Sequence, residues 1–444
     1  MKVYLFIPLF IAVWINGLSG QSLADYQRMG LENNPQLRVA QSGRTVAQSA
    51  LEEANKGRSL RVDFAPTYTL AAGGRVIAVP VGDLLNPVYG ALNAMTGTEN
   101  FPQIENAEEL LNPNNFYDLR MRATYPIINQ AIGVNQEIKQ LELKIAGHEI
   151  ERSRQQVVAE IAGAYYDYQR ASRAVAIYQE AMNLVRESIR VNRGLLSSGA
   201  ALPIDVRSAE NDSLQLAKDL LNAELATTQA AALLNYLVNQ PLDTPVPKET
   251  ASGDLPLVPS GAEAKVRPEL EQLTELGQLN GKLGDLAKAR AGAQLNAFAD
   301  FGLQDFNFNL SGQSPYVLAG LSFNVNLFDG GQTKAKQQLA QTRRQETQAR
   351  RAAVEQQIAL EIFTTRQDLE KRLNEYAALT REVSIRDQQY RDQLKRYRAG
   401  TINYIALQTA RNELIQSQLQ RNITRYQAWK VVADYKRALG MSVD

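Results

Sequence analysis

The chain has no cysteine and one histidine among its 444 residues. The missing thiols exclude disulfides, thiolate zinc sites, cysteine nucleophiles and an acylated N-terminal cysteine. A single imidazole, His148, cannot build a histidine-rich metal cage, and its helical spacing reads as a packed side chain. An excess of either charge is missing too. The 48 basic and 47 acidic side chains leave a formal charge of +1, which argues against a protein held mainly by nucleic-acid phosphates. The six methionines are scattered and form no ladder for copper. Asp329-Gly330-Gly331-Gln332 lacks the lysine and the spacing of a phosphate loop. With no acid/base or nucleophilic constellation in view, the expectation is a protein that is not an enzyme and carries no cofactor.

Long apolar runs are absent after the first twenty residues. Those twenty read as an export signal: Lys2 at the start, an apolar stretch from Val3 to Ile15, and a small-residue exit, Asn16-Gly17-Leu18-Ser19-Gly20. Thirteen apolar residues are too few to cross a bilayer, which takes about 20. An envelope protein is therefore expected.

Proline is absent from two long tracts, between Pro126 and Pro203 and after Pro315, although the chain has 16 prolines. A proline in a helix interior costs about 3 kcal/mol, and both tracts are rich in Gln, Glu, Arg, Ala and Leu. In the first, Val134, Ile138, Leu141, Ile145 and His148 recur at helical spacing. Helices over 132–197 and 332–398 would each run roughly 100 Å at ~1.5 Å per residue, too long for one globule. Each ends at a small-residue break, Ser198-Gly199-Ala200 and Ala399-Gly400-Thr401, as a C-terminal glycine stop does. Helical pattern then resumes over 203–238 and 402–439, so each long helix folds back as an antiparallel hairpin. The stretch 240–266 holds five prolines and reads as a linker.

The intervals repeat. Asn34-Pro35-Gln36-Leu37 answers to Arg267-Pro268-Glu269-Leu270, and Phe64-Ala65 answers to Phe298-Ala299 at offsets of 30 and 31 residues. Ile128 to Gly199 spans 71 residues and Phe328 to Gly400 spans 72, while Gly199 to Leu237 spans 38 and Gly400 to Leu439 spans 39. The division expected is a signal (1–20), a first repeat (21–239), the linker (240–266) and a second repeat (267–444). The first repeat would hold a β-hairpin over 60–128 and a tip at 198–203, the second a β-hairpin over 293–328 and a tip at 399–402. One interval disagrees by 34 residues, and the surplus falls in 83–116. That segment carries Asp83, Glu99, Glu105, Glu108 and Glu109 with no Lys or Arg, and reads as an exposed acidic loop.

Between the helices the period falls to two. Tyr117, Leu119, Met121, Ala123, Tyr125 and Ile127 alternate with Asp118, Arg120, Arg122 and Thr124. Val317 to Leu327 and Leu60 to Leu70 alternate likewise. Ala293 to Leu303 is poorer, because Phe298 sits on its polar side and Phe306 and Phe308 reverse the parity. Each run has the length of a tilted strand crossing a bilayer. A half-buried soluble sheet is the competing reading. Four strands cannot close a barrel, and open edges are forbidden in lipid, so a membrane reading requires several chains; three copies supply twelve strands.

The order of signal, helix, hairpin, long helix, glycine tip, return helix, linker and repeat resembles the TolC-like outer-membrane efflux protein family, over about residues 21–444. The Asn34-Pro35-x-Leu37 opening, Leu327-Phe328-Asp329-Gly330-Gly331 and the two tips add local matches. The fold class that follows is mainly α with membrane β. A duplicated unit of long antiparallel helical hairpins and two β-hairpins would be pooled as a trimer into a 12-stranded barrel and an α-helical periplasmic tunnel. The resemblance implies a homotrimer in outer-membrane lipid, extending into the periplasm. It would dock a periplasmic adaptor and an inner-membrane transporter, bind no nucleic acid, and act as the exit duct of a tripartite efflux or type I secretion system. By position, Asp205 and Tyr397 match residues that link the helices at a periplasmic gate. Ile402 stands where the family has an arginine, and Ala406 and Thr409 where its best-known members carry aspartates. Gly199, Ala200, Gly400 and Thr401 are the implied adaptor contacts. Arg61, Asp63, Asp118, Arg120 and Arg122 fall on the face of the strands away from lipid, in a watery lumen. An exported trimeric coiled-coil adhesin or structural envelope protein is the alternative, and an exported helical enzyme a third reading.

Overall fold

The computed structural model describes residues 22–248, 255–256 and 266–441. The expected export signal, and much of the linker, lie outside the described residues. Two compact units divide the chain. One takes residues up to Ser49, Leu141–Leu279 and Arg343 onward; the other takes Ala50–Gln140 and Asn280–Thr342.

Eight α-helices and six strands follow one another in order among the described residues. The opening helical segment is split: α1 (Leu23–Asn33) stops and α2 (Pro35–Asn55) begins one residue later. Asn34 turns extended there, with φ −61° and ψ 127°, the conformation that a following proline enforces. Its side-chain oxygen accepts from the Gln36 and Leu37 amides at 2.8 and 3.3 Å, so one residue ends the first helix and caps the second.

The long helices are α4 (Gln130–Ser197) and α7 (Gln332–Arg398), of 68 and 67 residues, and each is followed by a 35-residue return helix, α5 (Pro203–Leu237) or α8 (Tyr404–Ala438). α6 (Pro268–Ala291) opens the second half. In the first unit α1, α4 and α5 pack around Tyr26, Val157, Ile161, Tyr165, Leu234 and Leu237. The approach is close enough that a Cβ on Gly30 would stand 2.1 Å from the Ile161 Cδ1. A second apolar cluster joins α5, α7 and α8 through Ala209, Val383, Tyr390, Tyr397, Tyr404 and Leu407. His148 sits half-buried with its Nδ1 3.1 Å from the Glu271 carboxylate.

The second unit holds a four-stranded antiparallel sheet. Its strands β1 (Arg61–Thr69), β4 (Phe116–Ile128), β5 (Gln294–Phe306) and β6 (Pro315–Asn324) lie in the order β1-β4-β5-β6. Register keeps the alternation in phase across all four. Phe64 pairs Met121, Met121 pairs Phe301 and Phe301 pairs Val317. One step along, Asp63 pairs Arg122 and Arg122 pairs Asp300. A one-residue slip in any strand would mix these faces.

The interval between β1 and β4 differs from the bare acidic loop expected there. β2 (Val76–Val79) pairs with β3 (Ala107–Leu110), and α3 (Val81–Thr96) lies between them. Three asparagines tie the return chain to α3. Asn86 exchanges two hydrogen bonds with the Ile104 backbone at 2.9 and 2.8 Å, and Asn93 two with Phe101 at 2.8 and 3.0 Å. Asn106 accepts from the Asp83 amide at 3.1 Å. β5 and β6, by contrast, follow each other with no helix or strand between them.

Candidate functional site

Two sets of residues are candidates, and each lies within one unit.

The sheet has one apolar and one charged face, and their exposure is the reverse of what water demands. On the apolar face Phe64 is 65% exposed and Phe301 53%, whereas the neighbouring Asp300 on the charged face is fully buried. The expected lumenal residues all lie on the charged face, and the structure joins them. Arg122 clasps Asp300 with two charge-assisted hydrogen bonds, Nε and Nη2 each 2.6 Å from a carboxylate oxygen. Arg120 lies 3.7 Å from Asp118 and 4.0 Å from Asp300. Tyr316 donates to Asp118 at 2.8 Å, and Arg61 reaches Asp63 at 2.8 Å along the same strand.

Asp300, the hub of this network, is absent from the residues singled out in the sequence. Its strand reads poorly because Phe298 occupies the polar side. The Arg122 guanidinium lies 4.9 Å over the Phe298 ring, so the aromatic is there as a cation–π platform. At one end of the sheet Tyr68 and Tyr117 stack against Phe308, and Phe116 meets Phe306.

The helix tips form the second set. Gly199 and Gly400 have φ of +76° and +70°, left-handed values that favour glycine. Both stops have the same hydrogen bonding. Ala200 N donates to Leu195 O at 2.8 Å and Gly199 N to Leu196 O at 3.1 Å; Thr401 N donates to Arg396 O at 3.0 Å and Gly400 N to Tyr397 O at 2.9 Å. These are Schellman motifs, and all four expected contact residues are exposed on them.

Asp205 caps α5, its carboxylate accepting from the Leu202 amide at 3.0 Å. Tyr397, only 4% exposed, donates its hydroxyl to the Asn192 side chain. Asn192 in turn donates to the Asp205 carbonyl at 2.9 Å. The two gate candidates are thus brought together through a third residue that the sequence did not mark. Burial, with the Asp205 charge second, pushes the Tyr397 hydroxyl up to about 12, so it stays a donor across the physiological range. Ala406 is half-buried, and the exposed Thr409 returns its hydroxyl to the Ile405 carbonyl at 2.9 Å.

Two turns deeper a buried ion pair joins the return helices. Arg411 Nη2 reaches Asp212 at 2.6 Å, and the same carboxylate accepts from Tyr404 at 2.9 Å and Gln408 at 2.6 Å. Nothing in the sequence pointed to Asp212 and Arg411, because the partners lie 199 residues apart. The one available signal is local: Tyr404 and Arg411 are seven apart and share a helix face. Among the described residues no group of three or more His, Asp or Glu could hold a metal ion.

Comparison with known proteins accords with this geometry. Residues 282–440 match the outer membrane efflux protein family, and no curated protein matches the chain. Several solved structures share the fold. CusC is 13% identical with a TM-score of 0.77, over 98% of this chain and 97% of that one. The outer membrane protein VceC of Vibrio cholerae is 16% identical with a TM-score of 0.75, over 95% and 97%. The MtrE outer membrane channel of Neisseria gonorrhoeae, solved in its open state, is 15% identical with a TM-score of 0.72, over 95% and 89%. VceC and MtrE are both described as outer membrane proteins. In sequence over residues 282–440 and in fold over nearly its whole length, the chain is similar to the TolC-like outer-membrane efflux proteins.

Proposed function

We propose that this chain is a passive outer-membrane exit duct, three copies of which pool their strands into one twelve-stranded barrel. The observation that carries the reading is the reversed sheet, with bare phenylalanines beside a fully buried, doubly clasped aspartate. Such a face is stable against lipid, with the charged groups turned to a watery interior. The aromatics gathered at one end of the sheet suit a membrane–water boundary. β1 and β6 are both edge strands, and an open edge has no place in a bilayer. Closure therefore falls to neighbouring copies.

On this reading Arg61, Asp63, Asp118, Arg120 and Arg122 line the lumen, and Asp205 and Tyr397 hold the tips at a periplasmic gate. The chain does no chemistry; the driving energy and the choice of cargo belong to an inner-membrane transporter, reached through a periplasmic adaptor, in a tripartite efflux or type I secretion system. The two halves, 21–239 and 267–444, act as structural repeats. Purified protein in mild detergent is expected to run as a trimer and to give discrete conductance steps in planar lipid. Monomers with no conductance would end the reading.

The tips are assigned to the adaptor. Leu202, Ile204 and Ile405 stand exposed beside them, apolar surface of the kind that a partner covers. Gly199→Asn and Gly400→Asn keep the left-handed turn, which Asn tolerates, but add a side chain where no atom lies within 4 Å. The double variant is expected to assemble and conduct normally while cargo export in cells falls about tenfold or more, a loss worth ~1.4 kcal/mol of adaptor contact. Unchanged export would remove the tips from the adaptor interface.

A further inference from the structure

Four helices enter the sheet at one end. Antiparallel register sets Arg61 against Thr124, Ile128 against Leu295 and Gln294 against Asn324, so β1 and β5 start there and β4 and β6 finish there. α2, α4, α6 and α7 all join the strands at that end. The joining segments, 54–60, 128–136, 286–293 and 325–336, hold six basic residues against one acid, Asp329. The six are Lys56, Arg58, Lys288, Arg290, Lys334 and Lys336. Glu52 and Glu53 stand a turn further from the sheet on α2. The opposite end has the reverse balance, since its connections, 70–115 and 307–314, hold five acids against Arg75 alone.

All six cations are exposed, and none is paired with a carboxylate among the described residues. Lys336 bonds only the neutral Gln332, at 3.1 Å. Asp329 is already engaged, accepting from the Gly331 and Thr333 amides at 2.9 and 2.7 Å. Lys282, further down α6, shows the contrast, with its ammonium 2.5 Å from Glu137. Helix electrostatics account for only part of the set. Lys288 and Arg290 lie in the last turn of α6, where a cation suits the helix end. Lys334 lies in the first turn of α7 and Lys336 just after it, where the same field opposes a cation. An anionic partner outside the fold offsets that cost. Beside these cations, on the sheet side, the apolar residues are bare. Tyr125 and Phe323 carry the apolar face to this end, and Leu327 and Phe328, past β6, are 91 and 89% exposed. Uncovered apolar side chains next to unpaired cations match a bilayer boundary, with hydrocarbon on one side and headgroup phosphates on the other.

We infer that this collar is a binding surface for anionic phospholipid. The six cations hold headgroup phosphates of the leaflet facing the periplasm, and Leu327 and Phe328 enter its acyl boundary. This rests on the membrane reading of the sheet and adds a lipid preference at one end of it.

Trimers in phosphatidylcholine vesicles can be probed with chain-spin-labelled phosphatidylglycerol and phosphatidylcholine, electron spin resonance reporting how much of each label the protein immobilises. The parent is expected to prefer phosphatidylglycerol by about fivefold or more, the effect of even one cation near the surface. In the parent, 1 M salt should abolish the preference, because it screens charges beyond about 3 Å. Lys288→Gln, Arg290→Gln, Lys334→Gln and Lys336→Gln together should bring the two lipids within about twofold of each other. Arg343→Gln with Arg344→Gln, further down α7, should leave the preference intact. Equal retention of both lipids by the parent would overturn the inference, as would a preference that survives the four substitutions or the salt. If the four substitutions dissociate the trimer in neutral detergent, the cations belong to a contact between copies and the inference falls as well. A parent that forms no trimer would overturn the duct reading instead, which separates the two failures.

Discussion

Arg411→Ala is expected to weaken the junction between α5 and α8 by about 3–5 kcal/mol, the cost of leaving one partner of a buried ion pair uncompensated. Arg411 is 2% exposed and lies 2.6 Å from Asp212. Without the guanidinium, the Asp212 carboxylate keeps only the Tyr404 hydroxyl and the Gln408 amide as donors, neither of which carries charge. Removing both charges together should cost far less, because the desolvation penalty goes with them. Asp212→Leu with Arg411→Met is therefore expected to recover most of the loss. Hydrogen exchange of the α5 and α8 amides in detergent-solubilised protein checks this. Protection in Arg411→Ala should fall by about a hundredfold or more, at ~1.4 kcal/mol per factor of ten, and return to within about tenfold of the parent in the double variant. If the single variant exchanges like the parent, the pair contributes nothing to holding the hairpins together.

That pair also shows where sequence reading stops. The long helices were legible because their evidence is local. Proline is missing from two tracts, and each tract ends at a glycine that the structure holds at φ +76° or +70°. Three of the four main strands were legible for the same reason, since alternation lies within ten residues. β5 was not, because Phe298 belongs under the Arg122 guanidinium on a different strand, and that contact spans a sequence separation that no periodicity reports. α3 was hidden by Gly82, Pro87 and Gly90, which punctuate it as a loop. Its helix is held by asparagine side chains that bond backbone 8 to 18 residues further on, so tertiary contacts override weak local propensity. Asp300 and Asn192, the hubs of the two candidate sites, were missed for this one reason: a hub is defined by partners from other elements. No helix among the described residues is long and apolar enough to cross a membrane, so any membrane reading depends on the strands, where the signal per segment is weaker.

The strands offer the sharpest test, because water and lipid give opposite answers at one residue. Phe64 is 65% exposed. If its face met water, Phe64→Arg would be close to neutral, as surface substitutions generally are, within about 0.5 kcal/mol. If the face meets hydrocarbon, the same arginine costs about 2–4 kcal/mol near the bilayer midplane. Phe64 sits in the row that runs through Met121 and Phe301, close to the middle of each of those strands, so the larger cost applies. Thr67, on the opposite face of the same strand, pairs in register with Asp118, and Thr67→Arg adds a cation facing a carboxylate. Urea unfolding in lipid vesicles should therefore show Phe64→Arg destabilised by roughly 2–4 kcal/mol and Thr67→Arg near the parent, and outer-membrane trimer should be depleted only in the first. Equal stability of the two variants would mean that the bare phenylalanines face solvent. The sheet would then be an exposed apolar surface of a soluble protein, and the case for pooled strands would lose its physical basis.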